Sequence, residues 1–180
     1  MIYTAKELYK KGETEYSLRN LVSNGSLFLI EHGIYSDEES PLIDESYICK
    51  KYPNATLTGL SAFYVHDLTD HIPEQFYLST EQHSFPIRRE GVIQSYQDKS
   101  IYRIGRCNIE FGNGTICVYD LERSLIELIR NKTKYSEELY HEVLNSFRKR
   151  KSEIDFCKVN EYLSHFKNKS SITQKIKDLL

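Results

Sequence analysis

Apolar positions in this chain change their period several times, and the changes divide it into elements. Thr4-Ala-Lys-Glu7 forms a capping box for a short helix that Gly12 ends. Thr14 caps a second helix, with Leu18, Leu21 and Val22 on one face and Gly25 as its stop. The turn between them has the length of a helix-turn-helix connection. Leu27 to Ile30, a Glu31-His32-Gly33 turn and Ile34-Tyr35 then read as a β-hairpin, with Gly33 supplying a positive φ. Helix, turn, helix and hairpin in this order predict a winged helix-turn-helix-like module over residues 1–36.

The polar, acidic stretch Ser36 to Pro41 is the candidate boundary. Ser40 and Pro41 are expected to open a helix with Ile43, Tyr47 and Ile48 apolar. From Leu57 to Thr80 the chain has its densest pattern. Thr58 can cap a helix carrying Leu60, Phe63 and Tyr64, His66 to Pro73 breaks it, and Gln75 to Ser79 reads as a strand. The runs Ile101–Ile104, Cys107–Phe111 and Thr115–Tyr119 predict further strands, the last two joined by Gly112-Asn113-Gly114. Asp120 caps a helix with Leu121, Leu125, Leu128 and Ile129 in its buried stripe. The remainder is helical. Ser136 caps Glu137 to Arg148, with Leu139, Val143, Leu144 and Phe147 inward, and Asp155 caps a helix with Val159, Tyr162, Leu163 and Phe166. Ser170 or Ser171 opens a last helix with Ile172, Ile176, Leu179 and Leu180. The fold class expected is α+β: the N-terminal module, then a mixed α/β domain over 37–180 with a helical C-terminus.

Charge adds a division that the apolar pattern lacks. The net charge of −2 excludes a globally basic polyanion binder. Residues 1–36 carry four Lys/Arg against four Asp/Glu, net zero. Residues 37–122 carry seven against fourteen, net −7, and residues 123–180 carry thirteen against eight, net +5. Cys49, Cys107, Cys117 and Cys157 are far apart with no C-x-x-C pair, against a zinc ribbon or a disulfide framework. The N-terminus is charged and amphipathic and no run approaches membrane-spanning length, so a cytoplasmic protein with no membrane partner is expected. N-x-S/T matches at Asn54, Asn113 and Asn131 are read as chance.

Several residue sets invite chemistry. On the first module, Lys10, Lys11, Tyr16, Ser17, Arg19, Asn20 and His32 are the candidate DNA contacts, since the second helix of such a module enters the major groove and the hairpin flanks the backbone. Against them stand Glu13 and Glu15 at the start of that helix, the neutral charge, and the lack of a helix before Thr4. His66, Asp67, Asp70 and His71 suit a metal or acid–base site, but Asp and His at a helix end also cap backbone groups and close turns. Gly112 and Gly114 lack the further glycine or lysine of a phosphate loop. Arg88, Arg89, Arg103 and Arg106 form a basic patch or solvate an outer face. Asp120 and Glu122 beside a strand can hold Mg²⁺ in a nuclease, although Arg123 and Ser124 stand where the partner lysine belongs. Arg123 is instead expected to bond an acidic side chain or helix-end carbonyls. Arg148, Lys149, Arg150 and Lys151 are a solvated helix end or a polyanion-facing surface. No catalytic residues, metal or cofactor are assigned.

Two blocks carry a family resemblance. Leu60-Ser-Ala-Phe-Tyr-Val-His-Asp-Leu-Thr-Asp70, a small-residue helix running through a turn into a short strand, and Val118 to Arg130, with Glu122-Arg123-Ser124-Leu125 at the helix head, resemble the AbiEi family, the antitoxins of type IV toxin–antitoxin (abortive infection) systems. The likeness extends over nearly the whole chain and rests on fold signatures. It implies a winged helix-turn-helix that represses its own operon by binding operator DNA. It also implies an antitoxin domain that counteracts a nucleotidyltransferase-like toxin in phage defence, without enzyme activity. Two other classes stay open: a stand-alone winged-helix transcriptional regulator with no toxin partner, and a metal-dependent nuclease on Asp120 and Glu122.

Overall fold

A computed structural model describes residues 1–112 and 114–179. It is mixed α+β, with nine α-helices and two sheets among the described residues. The chain separates into two compact units, Met1–Pro53 with Glu110–Ile116, and Asn54–Ile109 with the chain from Cys117 onward.

The first unit opens on a strand, β1 (Ile2–Thr4), followed by α1 (Ala5–Lys10) and α2 (Glu15–Ser23). Both helices start at capping boxes: Thr4 with Glu7, and Thr14 with Ser17. Gly12 (φ +96°) and Gly25 (φ +76°) follow their ends. The hairpin β2 (Phe28–Glu31) and β3 (Ile34–Ser36) closes the motif, in a sheet ordered β1-β3-β2 and antiparallel throughout. Leu8, Leu18 and Leu27 are buried, with Tyr3, Leu21, Val22 and Tyr35 packed against them.

This unit runs past the Ser36–Pro41 connector, because α3 (Glu45–Lys51) returns to the sheet. Lys50 Nζ bonds the carbonyl of Ile2 and pairs with Glu7, Lys51 pairs with Glu31 at 2.7 Å, and the Tyr47 hydroxyl bonds Glu31. The helix starts at Glu45, not at Ser40-Pro41, because Asp44 caps it by accepting from Tyr47 N at 2.8 Å. That start buries Tyr47 and Ile48 and leaves Leu42 and Ile43 outside the helix, both exposed.

The second unit is built on a sheet ordered β6-β5-β4-β8-β7. Its strands are β4 (Thr56–Leu57), β5 (Phe76–Glu81), β6 (Val92–Gln97), β7 (Arg106–Phe111) and β8 (Gly114–Tyr119). Strand β4 is antiparallel to β5 and parallel to β8, and β5 is parallel to β6. The tip of the β7–β8 hairpin groups with the first unit; its Asn113, also an N-x-S/T match, lies outside the described residues.

Between β4 and β5 runs α4 (Gly59–Val65), with Leu60, Ala62 and Phe63 buried. Thr58 occupies its N-cap position but makes no side-chain cap bond. Asp67, at φ +55°, turns the chain out of the helix. Ile101–Ile104 is not a strand: α5 (Lys99–Tyr102) occupies it, because the Asp98 carbonyl accepts from both Ile101 N and Tyr102 N. Four residues are too few to separate a period of 2 from one of 3.6.

The helices α6 (Leu121–Arg130), α7 (Glu137–Lys149), α8 (Phe156–Leu163) and α9 (Lys169–Leu179) complete the unit. Asp120, Ser136 and Asp155 cap the first three as their positions predict. The last begins at Lys169, just before the expected serines, and Leu180 lies outside the described residues. The main core joins Phe63 and Leu68 to Leu125, Leu128, Val143, Phe147, Leu163 and Ile172.

Candidate functional site

On the first unit, the outward face of α1 and α2 presents Lys10, Lys11, Tyr16, Arg19 and Asn20, all exposed, with Tyr16 75 % accessible. Arg19 reaches back four residues to Glu15 in an ion pair whose two side chains are 75 % and 73 % exposed. So exposed a pair contributes little to stability. Lys11 Nζ sits 4.5 Å from the centre of the Tyr3 ring. Ser17 differs from its neighbours. Its hydroxyl accepts from Thr14 N at 2.8 Å and donates to Glu13 at 2.6 Å, so it is spent on the start of the helix. His32 is exposed in the β2–β3 turn.

On the second unit, the polar centre is Arg123, fully buried. Its Nε donates to Glu127 Oε1 at 2.9 Å, and its Nη1 donates to the carbonyls of Ile101 at 2.6 Å and Ile104 at 3.2 Å. Nη2 lies 2.8 Å from the same Oε1, outside hydrogen-bond geometry. The guanidinium stacks 4.5 Å from the Tyr119 ring and 4.8 Å from the Phe166 ring. The acidic partner and the helix-end carbonyls expected for Arg123 are therefore both present. Sequence reasoning missed Glu127 and what it gathers: besides Arg123, it holds Arg130 at 2.8 Å and Asn131 at 2.7 Å. The only signal for it was its spacing of four residues from Arg123 within an apolar stripe.

Asp120 and Glu122 do meet a lysine, but it comes from α8. Lys158 Nζ lies 2.9 Å from Asp120 Oδ2 and 3.1 Å from Glu122 Oε2. The Tyr162 hydroxyl donates to Asp120 Oδ2 at 2.8 Å, Asp120 Oδ1 caps α6, and Glu122 Oε1 accepts from Asp155 N at 3.0 Å. Every carboxylate oxygen is thus taken by a protein donor, and the cluster ties the head of α6 to α8. Burial lowers the Lys158 pKa, but its bonds to the two carboxylates outweigh this and hold it above its ordinary 10.5. Burial, then Asp120, pushes the nearby Cys107 thiol up to about 11, so it stays protonated at neutral pH.

The central turn is also tied down by its polar groups. His66 Nε2 donates to the Tyr119 carbonyl at 2.7 Å, and Thr69 donates to Glu142 at 2.6 Å. Asp67 and Asp70 are exposed. Among the described residues, no group of three or more His, Cys, Asp or Glu side chains is placed to hold a metal ion.

The sequence matches no family profile and no curated protein.

The basic run is divided among tasks. Arg148 Nε donates to the Leu179 carbonyl at 2.8 Å. Arg150 chelates Glu153 through Nε and Nη2 and bonds the His66 carbonyl. Lys149 and Lys151 are exposed. Arg106 stacks 4.7 Å from the Tyr102 ring and donates to Cys117 Sγ at 3.3 Å, while Arg88 and Arg103 are exposed. Among the described residues, no helix is long and apolar enough to cross a membrane.

Proposed function

We propose that this chain is a DNA-binding antitoxin of the type IV class, which counteracts a nucleotidyltransferase-like toxin and represses its own operon through its first compact unit. The observation that carries the DNA-binding part is the strand–helix–helix–hairpin order with β1 antiparallel to β3. It leaves α2 with Tyr16, Arg19 and Asn20 facing solvent, as a recognition helix requires. A third helix, α3, packs on the same unit after the hairpin, as the three-helix core of such a module requires. The antitoxin part rests on the resemblance of the Leu60–Asp70 and Val118–Arg130 blocks. Their polar residues serve helix starts, turns and core, in keeping with fold signatures.

Charge sets the expected character of the binding. The first unit carries six Lys/Arg and ten Asp/Glu, net −4. Lys50 and Lys51 are paired internally, which leaves Lys6, Lys10, Lys11 and Arg19, and the last three are the candidate phosphate contacts. Three contacts give a slope of log K against log salt of about −2.7 on B-DNA. The test is fluorescence anisotropy with duplex from the region preceding the protein's own gene, against a shuffled duplex. The specific duplex is expected to bind more tightly, and Arg19→Ala to weaken it by about 1–3 kcal/mol. Equal affinity for both duplexes, or for Arg19→Ala and wild type, contradicts the assignment.

A further inference from the structure

The buried pair described above has a charge imbalance. Glu127, 2 % exposed, gives one negative charge to two guanidiniums, those of Arg123 and Arg130. Both stack on Phe166, at 4.8 Å and 4.6 Å, so the ring lies against two cations. Arg123 is closed off from water, whereas the Arg130 side chain is 29 % exposed. The excess positive charge therefore reaches the surface through Arg130.

Arg130 borders a hollow of about 200 Å³ that Lys167 and His165 also line. Neither Lys167 nor His165 makes an ion pair among the described residues. Phe166 and Ile172 give it an apolar wall, and Asp98 is its one carboxylate. Counting Arg123, Arg130 and Lys167 against Glu127 and Asp98 leaves +1 with His165 neutral. Helix α9 begins at the same rim, adding the positive end of its dipole.

We propose that this hollow is a binding site for a phosphate-sized oxyanion, with Arg130 and Lys167 as its charged contacts. Its volume lies below the roughly 300–1,000 Å³ of pockets that take drug-sized ligands, which suits a single phosphate group. Arg130 is held in place by Glu127 and Phe166, so little side-chain freedom is lost on binding. The phosphate source is either the free ion or the terminal group of a nucleotide chain.

The test is calorimetric titration of the full chain with inorganic phosphate at fixed ionic strength, with chloride as control. Saturable binding is expected, weakened at least about tenfold by Lys167→Glu. Lys167 is exposed and outside the core, so this variant should melt like wild type by circular dichroism. A trinucleotide with a 5′-phosphate and its 5′-hydroxyl counterpart separate the two sources. Tighter binding of the phosphorylated form than of free phosphate assigns the site to nucleic-acid ends, and the reverse order assigns it to the free ion. Absence of saturable phosphate binding, or equal affinity in Lys167→Glu, overturns the proposal.

Discussion

Arg123 shows what one side chain can organise. Its guanidinium joins α5 to α6 through the Ile101 and Ile104 carbonyls and closes on Glu127 within its own helix. Removing one partner of a buried pair is far costlier than the pair's net worth. Arg123→Leu is accordingly expected to lose about 3–5 kcal/mol in urea denaturation. Arg123→Lys should recover only part of it, since an ammonium cannot stack on two rings and reach three acceptors. Wild-type stability in Arg123→Leu would show the arginine to be a passive filler. That Arg123 must pair was legible from its place at the head of an apolar stripe. That Glu127 would pair with three residues was not, because Arg123, Arg130 and Asn131 all stand at helical spacing from it and spacing alone does not say which of them the carboxylate takes.

His66 gives a pH dependence at the same scale. Burial pushes its pKa below the ordinary 6.5, opposed by the bond to the Tyr119 carbonyl. The folded ring thus takes up a proton less readily than the unfolded one. This contribution to stability is complete above pH 6.5 and falls as pH drops below that value. His66→Gln keeps a donor for Tyr119 and should flatten that part of the stability–pH curve, read as melting temperature between about pH 5.5 and 7.5. An unaltered slope in the variant would assign the dependence to another group.

At the scale of elements, the sequence was most readable where a helix announces its own start. Thr4, Thr14, Asp120, Ser136 and Asp155 all cap where their positions predict, since capping is local chemistry between residues three apart. Two short strands, β1 and β4, were not readable. Strand β1 exists because it pairs with β3 across the intervening helices, and β4 because it lies between β5 and β8. Two or three residues carry no period, and their partners are remote. The turn after α5 makes a testable demand. Gly105 sits at φ +74°, and a Cβ there would press on Arg123 Cβ and lie 2.9 Å from Asp120 Oδ1. Gly105→Ala is expected to cost at least about 2 kcal/mol, combining left-handed strain with overpacking, as measured by chemical denaturation. A loss under half of that would mean the turn relaxes freely.

For the whole molecule, the expected α+β class holds, while the candidate contacts divide between two compact units. The candidate DNA face was legible as an order of elements and as a set of polar residues on α2. Ser17 showed its commitment to the helix start only in three dimensions, because the same hydroxyl suits a cap or a phosphate. On the proposed DNA-binding reading, the acidic balance of the first unit would confine phosphate contact to a few cations and leave base contact to exposed residues of α2 such as Tyr16 and Asn20. The central claim is that this chain is an antitoxin. The most direct measurement is growth of cells expressing the adjacent gene alone, with the wild-type chain, or with its Arg19→Ala variant, all from promoters the chain does not control. The account predicts a toxic neighbour whose effect both forms relieve, since neutralisation is assigned outside the DNA-binding face. A toxic neighbour that neither form relieves, or a neighbour without toxicity, contradicts it.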